Sequence, residues 1–356
     1  MRPIAINGRF LTQGLTGVQR YAIEITRALD ALAGEGGVGD IRLLAPPGAA
    51  APWLSHIPLV TVGSGSGQVW EQRDLPSAAR GALLVNLGNT GPVLAGAQQA
   101  VVIHDAGAFD TPESYSFAFR SWYRLLQRTL VARGARIVTV SDFSRGRIAA
   151  NLPVRPEDIA VTYEGAEHAL SVPADGSVLA KHGLAPGRYA LAVGTRAAHK
   201  NLGALAAAAD FLGERGLTLA AAGAADPTVF RPAGAGSGAV ALGRVSDAEL
   251  RALYENTLCL VFPSRYEGFG LPPVEAMVAG CPVIASRAGA VPEVCGEAAL
   301  WFDPAVSESL PAALARLLDE PGLAASLRAA GRARAAMFTW RAAAERLLSA
   351  IGGLRA

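Results

Sequence analysis

Short apolar runs, each of a few residues and each followed by a stretch of helical periodicity, recur along this chain in two successive rounds. In the first round strands are predicted at Ile4-Ala5-Ile6, Ile41-Arg42-Leu43-Leu44-Ala45, Ala82-Leu83-Leu84-Val85, Ala100-Val101-Val102-Ile103 and Ile137-Val138-Thr139-Val140. A helix is expected through Tyr21, Ile25 and Leu29, and another from Phe117 to Ala132. The second round has strand-like runs around Leu191, Ala220, Val240, Leu260 and Ile284, with helical stretches after Leu202, Ala248 and Pro273. Strands that alternate with helices build parallel sheets covered on both faces, so the fold class is α/β. The 356 residues are too many for one ordinary core and suit two such domains. The turn-rich segment Val172-Pro173-Ala174-Asp175-Gly176-Ser177 suggests the break. The expected division is 1–172, 173–335 and a terminal helical piece, 336–356.

Composition narrows the class. Half the residues are apolar, ample for packed cores. No uncharged apolar run approaches the ~18 residues a membrane helix needs, and the start lacks a signal-peptide pattern, so a cytoplasmic location is expected. A net charge of +2 offers nothing to nucleic acid. Cys259, Cys281 and Cys295 have no metal-ligand spacing; Cys259 and Cys281 read as small buried hydrophobes. The cations are 30 Arg and two Lys, Lys181 and Lys200, most simply a GC-rich bias.

Ligands of parallel sheets sit beyond the carboxyl ends of the strands. Beyond Phe262 come Glu267, Gly268, Phe269, Gly270 and Leu271, then prolines and a helix bearing Glu275. Glycines admit a phosphate close to the backbone, and a helix start with proline in its first turn attracts anions. Carboxylates on two sides of that place would accept hydrogen bonds from sugar or ribose hydroxyls. The same residues also read as a loop glycine pair and a helix-capping glutamate.

Glu267 and Glu275, with Gly268-Phe269-Gly270 between them, resemble the signature of retaining glycosyltransferases of the family 4 type. Gly194-Thr195 followed by His199-Lys200-Asn201-Leu202 is similar to that family's phosphate loop. Leu242-Gly243-Arg244-Val245-Ser246 and Gly289-Ala290-Val291-Pro292-Glu293 continue the likeness. The resemblance implies the GT-B fold, two Rossmann-like domains facing across a cleft, with the terminal helix from Trp340 crossing back to the first. It implies a nucleotide-sugar substrate, held by Gly17, Gly194, Thr195, Lys200, Arg244, Val245, Glu267, Gly268, Phe269, Gly270, Leu271 and Glu275. Glu275 corresponds to the glutamate that grips ribose, and Glu267 to the one that faces the donor sugar. Lys200 would neutralise the diphosphate, with Arg196 or His199 supplying a second charge. No cofactor and no metal are expected, and no Asp-x-Asp motif occurs where a metal-bridged diphosphate needs one.

In the first half, His104-Asp105 ends a strand. The pair reads equally as structural or as a hydrogen-bonding partner of a sugar; the resemblance makes His104 a donor-sugar contact. Thr16-Gly17-Val18 opens a helix that could face phosphate or acceptor, or be a plain turn. Trp70-Glu71-Gln72 and Asn86-Leu87-Gly88-Asn89-Thr90 resemble acceptor-side segments. Arg120, Arg124 and Arg128 recur on one helix face, either a solvated face or a contact with anionic lipid. The expected reaction transfers a hexose, GDP-mannose being the first choice of donor, to a glycan or polyprenyl-linked acceptor of a surface polysaccharide. A nucleotide-sugar epimerase of the same architecture and a non-catalytic nucleotide-sugar-binding protein are the alternatives. A dinucleotide oxidoreductase is disfavoured, because no G-x-G-x-x-G follows the first strand.

Overall fold

The computed structural model describes residues 2–195, 197–223 and 239–354. The chain forms two compact units, Met1–Glu164 with Trp340–Ala356, and Gly165–Thr339. Both boundaries differ from those read in the sequence. Residues 165–172 join the second unit because the 3-10 turn Glu167–Leu170 packs on the helices Asp247–Asn256 and Leu271–Val278. Residues 336–339 stay there too, with the Phe338 ring edge-on to Phe269 at 5.6 Å. The turn-rich segment after Val172 therefore lies inside a unit.

The first unit holds a seven-stranded parallel sheet: β1 (Ile4–Asn7), β2 (Ile41–Ala45), β3 (Leu59–Thr61), β4 (Leu83–Asn86), β5 (Gln99–Val102), β6 (Arg136–Thr139) and β7 (Ala160–Val161). The spatial order is β3-β2-β1-β4-β5-β6-β7. The second unit has six parallel strands: β8 (Tyr189–Gly194), β9 (Thr218–Gly223), β10 (Ala239–Gly243), β11 (Leu260–Phe262), β12 (Val283–Ser286) and β13 (Ala299–Phe302). Their order is β10-β9-β8-β11-β12-β13. These are the two Rossmann-like sheets of the α/β class expected above. Helices bury both faces of the central strands, so β1, β4 and β12 are buried at every residue and their sequences run apolar without alternation.

Three strands escape a reading by pattern. β3 and β7 are edge strands of three and two residues, too short to carry a period. β13 forms after Gly296 by pairing in register with β12, a long-range event. Among helices, Phe117–Ala132 has the bounds expected, with the Ser116 hydroxyl accepting from the Phe119 amide at 3.3 Å.

The three arginines of that helix are placed differently, Arg128 exposed and Arg120 and Arg124 half-buried. Arg124 Nε donates to the Ala108 carbonyl at 2.8 Å, and Arg124 and Arg128 lie over the Phe109 ring at 5.4 and 5.5 Å. The exposed part of the helix carries apolar side chains, Phe117 at 74%, Leu125 at 62% and Trp122 at 40%, together with Arg128. Among the described residues no helix is long and apolar enough to cross a membrane.

Each sheet reverses its strand order once, between β1 and β4 in the first unit and between β8 and β11 in the second. A crevice opens at such a point because the connections leave on opposite faces. The loops after β8 and β11 carry the two strongest motifs of the sequence.

Candidate active site

The loop after β8 turns through a 3-10 segment, Ala198–Lys200, and ends at Asn201 in a left-handed conformation, φ 51°. Asparagine tolerates that geometry better than most side chains. Its amide then donates to the Pro263 carbonyl at 3.1 Å, in the loop after β11. The Arg265 amide returns a hydrogen bond to the His199 carbonyl at 2.7 Å. Lys200 Nζ reaches both oxygens of Glu267, at 2.7 and 3.0 Å. Two loops separated by more than sixty residues are thus joined by a backbone bond, an amide bond and an ion pair. The ammonium keeps 20% of its side-chain surface and the carboxylate 11%, so both remain reachable from one side.

Glu267 is held from behind. Gly289 adopts φ +60°, and a Cβ there would lie 2.5 Å from the Glu267 nitrogen and 2.7 Å from its oxygen. The next amide, Ala290, donates to the Glu267 carbonyl at 3.1 Å. Glycine at 289 thus lets the chain press against the backbone that aims Glu267.

The helix Leu271–Val278 begins after Gly270, whose φ of +100° suits only glycine. Nothing caps it through a side chain. Its second and third residues are Pro272 and Pro273, which have no N–H, so the bare amide at the helix start is that of Leu271. An anion here would meet the amides of the Gly268–Leu271 loop more than a full helical turn of donors. Phe269 and Leu271 are buried.

Glu275, one turn into that helix, is 9% exposed. Its Oε1 lies 2.9 Å from His168 Nε2, and its Oε2 accepts from the Tyr254 hydroxyl at 3.0 Å. Burial, and then the Glu275 charge, push the Tyr254 hydroxyl well above its usual range, so it stays a donor. Sequence reading found neither Tyr254 nor His168; each stands alone among helix and turn residues, with no spacing to flag it. Thr195 is exposed at the end of β8 and Arg244 is exposed after β10. Val245 is half-buried beside Ser246, which caps the helix Asp247–Asn256 through a reciprocal pair with Glu249. Arg196 lies outside the described residues.

In the first unit His104 is 5% exposed. Its Nε2 is 3.0 Å from the Leu87 carbonyl, so that nitrogen carries the proton, and its Nδ1 is 3.4 Å from Glu164 Oε1. The Tyr21 ring meets it edge-on at 4.7 Å. Asp105 caps the next turn through the Gly107 amide at 2.6 Å. Gly17 is exposed at the start of the helix Gly17–Gly34. Glu71, Asn86 and Thr90, noted in the sequence, converge at the β1–β4 crevice with Asn7 and Arg9, which were not. Asn7 Nδ2 donates to Glu71 and to Asn86, at 2.8 and 2.9 Å, and Arg9 pairs with Glu71 at 3.0 Å and donates to Thr90 at 2.8 Å.

Residues 186–334 match the family described as glycosyl transferases group 1. The chain is 32% identical over 260 residues to the O-antigen chain mannosyltransferase B of Escherichia coli, which covers 67% of this chain and 65% of that one. It is 48% identical over 104 residues to the MMP alpha-(1->4)-mannosyltransferase of Mycolicibacterium hassiacum, covering 28% of this chain and 25% of that protein. The chain therefore spans just under two thirds of the first of these relatives and a quarter of the second. The whole architecture resembles the solved sucrose-phosphate synthase of Thermosynechococcus elongatus, with a TM-score of 0.74 at 18% identity over 99% of both chains.

Proposed function

We propose, from the premise that residues 186–334 are a glycosyl transferases group 1 domain, that this chain moves a hexose from a nucleotide-sugar donor to a glycan or lipid-linked oligosaccharide, with retention at the anomeric carbon. The observation that carries the reading is the joining of the β8 and β11 loops, which sets Lys200 against Glu267 beside the Gly268–Leu271 amides. An ammonium has three donors; two engage the carboxylate and one is left for a phosphate oxygen. As the bond from sugar to diphosphate breaks, charge grows on the leaving oxygen, and a fixed ammonium and loop amides stabilise it. The acceptor hydroxyl attacks the face from which the diphosphate leaves, and a departing phosphate oxygen takes its proton. Glu267 faces the sugar and Glu275 the ribose.

The mannosyltransferase names of both relatives favour GDP-mannose as donor, and the O-antigen name favours a surface polysaccharide as the product. The exposed Phe117, Trp122 and Leu125 add a peripheral contact with lipid, on a helix with three arginines and no carboxylate. The protein would then work at the cytoplasmic face of a membrane that carries its acceptor. The test is a thermal-shift screen of GDP, UDP, dTDP and ADP with their hexose conjugates, followed by product analysis with the best donor. A shift confined to one nucleotide and a sugar product of unchanged anomeric configuration are expected. Conversion of the donor without acceptor would favour an epimerase, and binding with no turnover a carrier.

A further inference from the structure

The Glu275 carboxylate has two partners that belong to no motif. Tyr254 comes from the helix Asp247–Asn256 and His168 from the 3-10 turn Glu167–Leu170, and both are almost fully buried. Each occupies one oxygen of the carboxylate, at 3.0 and 2.9 Å. An ionised carboxylate only accepts, so the His168 ring must present Nε2–H to it. Two oxygens offer about four lone-pair directions. One donor on each oxygen leaves one direction on each, and these lie in a single plane. A vicinal diol, with two O–H donors on neighbouring carbons, fits a carboxylate fixed in this way.

We propose that Tyr254 and His168 are positioning residues that lock the plane of Glu275 so that both its oxygens accept from the ribose diol of the donor nucleotide. This rests on the reading of Glu275 as the ribose-binding glutamate. Without the two locks the carboxylate turns about its last torsion, which is broad for glutamate, and bidentate recognition is lost to rotational freedom. The raised Tyr254 hydroxyl supports the lock, since it remains protonated at any pH the protein would meet.

The test compares nucleotides with and without the diol. GDP and UDP, each with its 2′,3′-dideoxy form, are titrated against wild type, Tyr254→Phe, His168→Gln and Glu275→Gln, with a melting curve for each variant. The expected result is that wild type prefers the ribonucleotide. Tyr254→Phe should weaken that nucleotide about tenfold, as befits loss of one hydrogen bond to a charged group, and leave the dideoxy form unchanged. In turnover the same variant should raise KM for the donor and spare kcat. His168→Gln, which keeps a donor, should retain much of the preference. Equal weakening of both forms by Tyr254→Phe would overturn the proposal and leave a packing role. A wild type that binds both forms equally would overturn the ribose reading of Glu275, and the positioning role with it.

Discussion

At the scale of single residues, the site depends on charges placed against each other and on the absence of side chains. Lys200→Ala leaves Glu267 without its cation and, in the proposed mechanism, removes the ammonium that meets the developing charge. Loss of about 100-fold in kcat is expected, with donor affinity changed far less. Turnover in EDTA should match turnover without it, because Lys200 and loop amides carry the charge in this mechanism. Gly289→Ala should cost about 1–3 kcal/mol for its left-handed backbone alone, and its Cβ would push on the backbone of Glu267. A lower melting temperature together with lower kcat is the expected pair of readings. The three cysteines make the opposite point. Burial pushes the Cys259 and Cys295 thiols up to about 12 and raises Cys281 well above its usual range. Ellman's reagent should therefore titrate none of them until denaturant is added. The sequence disclosed Glu267 and Lys200 through motif spacing. It disclosed nothing of Tyr254 and His168, because a residue that meets its partner across 21 or 107 positions has no local signature.

Elements show how periodicity and tertiary pairing divide the work. The helix Phe117–Ala132 was legible to its ends, since sixteen residues carry enough turns to display a face. Which apolar side chains of it stay exposed was not legible, because the packing of Arg124 and Arg128 over Phe109, and of Arg124 onto the Ala108 carbonyl, is set by a distant segment. Replacing Phe117 and Leu125 with serine should abolish co-sedimentation with anionic vesicles without lowering stability, both being exposed. The helix Gly17–Gly34 is anchored differently. Burial pushes the Asp30 carboxyl up, but the amides of Ile57, Ser55 and His56 outweigh it and hold Asp30 below the usual carboxylate range. A depressed carboxyl stabilises the fold above its unfolded pKa and loses that contribution as pH falls through its folded value. Asp30→Asn should thus lower stability at neutral pH and flatten its decline in acid, as read by urea unfolding from pH 7 to 3.

At the scale of the molecule, each unit is built on its own parallel sheet, and the terminal helix Trp340–Gly352 belongs to the first. It packs along the helix Gly17–Gly34, with the Trp340 ring 5.9 Å from Tyr21 and with Leu347 and Ile351 buried. Each large buried side chain contributes about 2 kcal/mol. A chain ending at Thr339 should melt in two steps, the first unit much earlier, while nucleotide still shifts the second step upward. The sequence by itself determined the α/β class, the two rounds of strands and the loops of the candidate site, because period, glycine and proline act over a few residues. Only the tertiary structure decided where the units divide, that Glu275 meets Tyr254 and His168, and that Phe117, Trp122 and Leu125 of the long helix are exposed. Those depend on contacts between distant positions, and no local pattern records which of many compatible partners a folded chain will bring together.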